Sequence, residues 1–172
     1  MLTIRLDQQS SPRRSGEPEN SIEDVPDDLT SVLYEISACL AAAGVTLEVG
    51  GFGERRWPVD VETDLLTLLE QWPDVMNAVT APTDFSIDFY EQGIQRRIDF
   101  HHTGDHFVAR CTSSTSWVPN PREETIQAED LRAMLTAFTQ DVVAKTRTHC
   151  PAHAASPCFQ EWARSFPQDH RR

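Results

Sequence analysis

The sequence is short of the features that announce a function. No stretch approaches the about 18 consecutive apolar residues that a membrane-crossing helix requires, and the opening residues MLTIRLD alternate apolar and polar side chains where a signal peptide would carry an apolar block. The expected setting is therefore cytoplasmic, with no membrane partner. Positive charge is scarce: 15 basic residues face 27 acidic ones, a formal charge of −12. That balance argues against direct binding of nucleic acid or an anionic membrane, because both require clustered cations. Lys145 is the single lysine among the basic residues, a bias that suggests a GC-rich bacterial coding sequence.

Motifs are equally sparse. The segment Gly50-Gly51-Phe52-Gly53 lacks the GxxxxGK[ST] and GxGxxG spacings that shape a phosphate-binding loop, and Glu54 beside it would repel a phosphate. HExxH and GxSxG are also missing. The four cysteines, Cys39, Cys111, Cys150 and Cys158, show neither paired spacing nor the density of a small secreted scaffold, so reduced thiols are expected.

What remains is a clear pattern of elements. Leu2, Ile4 and Leu6 alternate with polar residues, which predicts a strand at 2–7. The polar, Pro- and Ser-rich stretch that follows predicts a mobile loop over about 8–26, and a frayed tail is expected over about 167–172. Leu29, Val32, Leu33, Ile36 and Leu40 share one helical face. A helix at 28–43 is predicted, capped by Asp27 or Asp28 and ended by Gly44. Val45, Leu47 and Val49 predict a short strand. Val61, Leu65, Leu68 and Trp72 predict a helix that Pro73 stops or kinks. Three alternating segments, 85–90, 94–101 and 106–112, form a β-meander with turns near Gly93 and Gly104. Residues 113–124 read as a loop, and Leu131, Leu135, Phe138 and Val142 set a helix at 128–147. A short last helix holds Phe159, Trp162 and Phe166 against the body. The expectation is one α+β domain over 1–172: an antiparallel sheet of four to five strands with a central β-meander, packed against two to three amphipathic helices.

Three constellations carry chemical potential. His149, Cys150, His153 and Cys158 offer ligand types that suit zinc, but without paired CxxC or HxxxH spacing the expectation is no metal and no cofactor. His101, His102 and His106 flank one turn, although neighbours in a strand point to opposite faces and cannot all converge. Arg96 and Arg97 lie among Asp88, Glu91 and Asp99, as charge pairs on an exposed sheet face would. Trp57 and Trp117 sit in Pro-containing loops, where such a ring covers the core or anchors a partner.

The run DFSIDFYEQGIQRRIDF at 84–100, the short strand after it and the helix AEDLRAMLTAFTQDVV at 128–143 resemble a layout common among the immunity proteins of bacterial polymorphic toxins, over residues 45–147. The resemblance implies stoichiometric binding of a cognate toxin with no catalytic step, and the class shares no fixed contact residues to carry over. Acidic surface would suit a basic nuclease domain as the partner. Candidate partner-binding residues are Glu23, Asp24, Asp27, Asp28, Asp88, Tyr90 and Trp117. The alternatives are a small hydrolase or metal-dependent enzyme using the His101/His102/His106 hairpin or the Cys150/His153/Cys158 segment, and a regulatory or scaffold domain.

Overall fold

Period-two and period-3.6 burial sort the described residues into two antiparallel sheets and five helices. The computed structural model describes residues 1–8 and 26–166. The expected loop at about 8–26, apart from its two end residues, and the expected tail at about 167–172 lie outside the described residues, as do Glu23 and Asp24.

Strand β1 (Thr3–Gln8) pairs antiparallel with β2 (Val45–Gly50), placing Ile4 opposite Val49 and Leu6 opposite Leu47 on the buried face. Gln8, expected to begin the loop, is the last residue of β1 and pairs with Val45. Helix α1 (Leu29–Ala42) connects the two strands. Its N-cap is Asp28, whose carboxylate accepts the Ser31 N–H at 2.9 Å, and Gly44 follows its end at φ +78°, where a side chain would be strained.

Pro73 is the expected stop or kink of helix α2 (Asp64–Thr80); the helix runs through it and does not stop there. Proline in a helix removes one N–H and frees the carbonyl four residues back. Here that carbonyl belongs to Leu69, and the Trp162 indole N–H fills it at 3.2 Å. The helix survives because another element supplies the missing donor.

The second sheet contains β3 (Phe85–Phe89), β4 (Arg96–Thr103), β5 (His106–Ser113) and β6 (Glu123–Gln127), in that order and all antiparallel. The predicted meander is present. Its first two strands pair Ile87 with Ile98, and the next pairing sets Ile98 opposite Cys111. Two details differ from expectation. β1 and β2 form a sheet of their own, and the expected loop at 113–124 ends in a fourth strand, β6, of which only Ile126 is buried.

Helix α3 (Ala128–His149) and the short helices α4 (Pro151–Ala154) and α5 (Pro157–Arg164) complete the described elements. Ser156 caps α5 by accepting the Phe159 N–H at 3.2 Å. One contiguous cluster of buried side chains joins both sheets and the helices. Glu124 ties the sheets together. Its carboxylate is 10% exposed, and it accepts backbone N–H groups from Leu2 and Phe52, each at 2.6 Å.

The cysteines depart from expectation. Cys39 of α1 and Cys150 at the end of α3 are joined in a disulfide with Cα atoms 6.2 Å apart, within the usual span for such a bond. Neither the sequence separation of 111 residues nor local spacing advertises this pair, since tertiary packing alone brings the two helix ends together. Cys111 and Cys158 are free.

Candidate partner-binding surface

Strand alternation gives the four-stranded sheet a polar outer face. Register places Asp88, Arg97 and Thr112 side by side across β3, β4 and β5, and Ser86, Asp99, Arg110 and Glu123 form the next row. Arg97 lies 3.6 Å from the Asp88 carboxylate and 2.8 Å from that of Asp99. The hydrogen bond and charge of Asp99 come first, with Asp88 behind, in raising the pKa of Arg97. Arg110 pairs with Glu123 at 2.8 Å. These are exposed pairs that set a charge pattern and add little stability.

Gln71 of α2 fixes the edge at Asp88. Its amide oxygen accepts the Asp88 N–H at 2.9 Å, and its NH2 group donates to the Asp88 carbonyl at 2.8 Å, as a neighbouring strand would. Next along the chain, Tyr90 stands half exposed and donates its hydroxyl to Glu70 at 3.2 Å. Burial first, and the Glu70 charge second, push its phenol pKa upward.

Asp88, Tyr90, Arg97 and Thr112 border a depression of about 300 Å³. Thr112 also borders a groove of about 560 Å³ lined by Trp117, Val118 and Arg122. The shared residue makes the two hollows neighbours at one end of the sheet. Of the expected partner-binding residues, Asp88 and Tyr90 thus border one hollow and Trp117 borders its neighbour. Arg97, Thr112 and the exposed Val118 join them, and the sequence reading did not single these out for binding. Val118 carried one legible signal, its place beside Trp117 in a Pro-rich loop.

Trp117 also has an internal duty. Its ring lies 3.5 Å from the Arg96 guanidinium carbon, which in turn sits 4.7 Å from the Trp57 ring. Arg96 is only 4% exposed, so the expected surface charge pair holds for Arg97 alone. The reason is parity: Arg96 occupies the inward-facing position of β4, beside Phe89 and Ser113. It approaches Glu54 at 2.6 Å, yet its Nε and Nη1 make no well-directed hydrogen bond. The close approach is an ion pair, and stacking on two indoles supplies the rest of its stabilisation. Trp57 is fully buried against Phe89, so it belongs to the core.

Asp27 and Asp28 lie elsewhere. The Asp28 carboxylate is engaged in capping α1, and the Ser31 N–H holds its pKa down. The Asp27 carbonyl accepts the Cys158 thiol at 2.9 Å, against α5. Neither borders the hollows that contain Asp88 and Trp117.

The histidine cluster does not converge. His101 meets Asp84 at 3.1 Å, His106 meets Asp105 at 3.0 Å, and His102 packs on the Phe107 ring. The Cys/His segment disperses as well. Cys150 is bonded to Cys39, His153 meets Glu35 at 2.6 Å, and Cys158 turns to Asp27. A sulfur held in a disulfide is no zinc ligand. Among the described residues no group of three or more His, Cys, Asp or Glu side chains is placed to hold a metal ion, and no helix is long and apolar enough to cross a membrane.

The chain matches no family model, no curated protein and no solved structure. Charge and geometry therefore carry the functional argument.

Proposed function

We propose that the chain is a non-catalytic binding protein of the immunity type, which neutralises a cognate basic toxin by stoichiometric association. The observation that supports this reading is the end of the meander. There, Asp88 and exposed Tyr90 border one hollow, half-buried Trp117 and exposed Val118 border the hollow that shares Thr112 with it, and Gln71 pins the sheet edge at Asp88. Aromatic anchors in hollows, ringed by charge, are the usual centre of a tight protein interface. The formal charge of −12 favours fast encounter with a positively charged partner such as a nuclease domain. The alternative enzyme reading gains no convergent histidine site at the hairpin, where the rings of His101, His102 and His106 turn to Asp84, Phe107 and Asp105.

The reading places the protein in the cytoplasm. The Cys39–Cys150 bond weighs against that placement, since disulfides persist mainly in oxidising compartments. The test of function is coexpression with a toxin domain encoded beside it. Restored growth and a stable one-to-one complex are expected. Absence of both would overturn the proposal.

A further inference from the structure

A third hollow, of about 430 Å³, is bordered by residues of α2, α3, α4 and α5 and by Phe166 just after α5. Its apolar wall comes from Met76, Val143, Phe159, Ala163 and Phe166, and its polar rim includes Gln140 and Gln160. The two charged residues that line it are Arg147 and Arg164, with no carboxylate among the described lining residues. In a chain with 27 acidic and 15 basic residues, that selection of sign is unusual. Each arginine occupies the last turn of its helix, where a cation offsets the helix dipole. The dipole accounts for one arginine per helix end, but not for both bordering a single apolar cavity. Neither forms an ion pair among the described residues, and Arg164 uses only its Nε, donating to the Gln160 carbonyl at 3.0 Å. Guanidinium groups so placed offer forked donors that match a carboxylate.

We propose that this cavity binds a small amphipathic carboxylate, with its apolar body between Val143 and Phe159 and its head group at Arg147 and Arg164. The volume falls in the lower part of the range of small-molecule pockets, about 300–1,000 Å³, and suits one such ligand. The inference does not depend on the inhibitor reading, because it concerns the chain alone.

Decanoate is the probe and decan-1-ol its neutral counterpart, each titrated calorimetrically into the full chain. Decanoate should bind one-to-one, and decan-1-ol about tenfold more weakly or worse, the scale of one charge-assisted contact. R147Q and R164Q should each weaken decanoate about tenfold and leave decan-1-ol unchanged. Thermal melts would confirm that both variants fold. Amide shifts in the unaltered protein supply a readout free of mutation, and decanoate should move those of Val143, Gln160 and Ala163. No binding at millimolar decanoate, equal affinity for acid and alcohol, undiminished binding by the doubly substituted chain, or shifts confined to other elements would each overturn the proposal.

Discussion

The Trp162 indole donates to the Leu69 carbonyl, the acceptor that Pro73 leaves without a helical partner, at 3.2 Å. A proline in one helix and a tryptophan in another thus form a single structural unit, with α5 locked onto α2. Trp162→Phe should leave that buried carbonyl unsatisfied and destabilise the protein by about 1–3 kcal/mol. Pro73→Ala restores an N–H to α2, so the same tryptophan substitution should cost less in that background. Urea unfolding of the four proteins in the cycle measures the coupling, and equal costs in both backgrounds would show that only ring packing was lost.

Asp64 gives stability a pH dependence. It is 3% exposed at the start of α2, where one oxygen accepts the Asp60 N–H at 2.9 Å and the other has no partner. Burial, reinforced by the charges of Asp60 and Glu91, lifts its pKa from 3.8 to about 6. A raised folded-state pKa means that the folded chain holds the proton more tightly than the unfolded one. The contribution is therefore full below the unfolded value and is lost as pH rises through about 6. Asp64→Asn should flatten the stability profile between pH 4 and pH 6, and should gain up to about 3 kcal/mol at pH 7. Denaturant midpoints across that range check it, and an unchanged slope would refute it.

Thiol counting tests the Cys39–Cys150 bond. Without reductant, alkylation of the denatured chain should label two cysteines, Cys111 and Cys158, and all four should react after reduction. In the folded protein Cys158 should react first, because burial pushes the Cys111 thiol up to about 12. Reduction should cost about 2–4 kcal/mol in unfolding free energy, from the loop-closure freedom returned to the unfolded chain. Four reactive thiols in protein extracted under acid quench would show that the bond does not form in the cell.

How much of this was legible in the sequence follows from the range of the forces involved. The meander and helices α1 and α3 are written in local periodicity, because one face of each must be buried: Ile87, Ile98 and Cys111 align as the alternation required. The three misreadings, at Pro73, Cys39 and Arg96, each turn on a partner far away along the chain. Trp162 supplies the missing donor, Cys150 the second sulfur, and Glu54, Trp57 and Trp117 the cage for a cation. β6 escaped notice for a different reason, since a five-residue strand with one buried side chain has almost no period to detect. Asp88, Tyr90 and Trp117 were identifiable as exposed or loop residues. That the hollow at Asp88 and Tyr90 adjoins the one at Trp117 depends on how the loop after β5 folds back, which no local pattern records.

Glu124 should behave as a joint between the sheets. Its carboxylate receives the Leu2 and Phe52 N–H groups, at 2.6 Å each, and Gly53 beside Phe52 packs so closely on the Asn120 carbonyl that a Cβ would overlap it. Glu124→Gln turns an NH2 group toward one of those donors and removes the charge. A loss of about 1.5–3 kcal/mol is expected, the value of hydrogen bonds to a charged group. Hydrogen exchange should rise at Leu2 and Phe52 before it rises in β4, and uniform exchange would contradict a local joint.

Substitutions at the meander end separate binding from folding. Tyr90→Ala should weaken the toxin complex by about 2 kcal/mol, the threshold of an interface hot spot, while the isolated chain melts almost unchanged because that ring is half exposed. Asp88→Lys should slow association most at low salt, and added salt should erase much of the difference. Trp117→Ala is a different case. It removes the ring stacked on Arg96, so stability and binding should fall together. Asp27→Arg lies against α5 and should leave affinity intact, apart from a small general charge effect on the encounter rate. Kinetics of the four variants against one toxin domain decide the matter. Strong loss from Asp27→Arg with none from Tyr90→Ala would move the interface to the start of α1 and refute the surface proposed at Asp88, Tyr90 and Trp117.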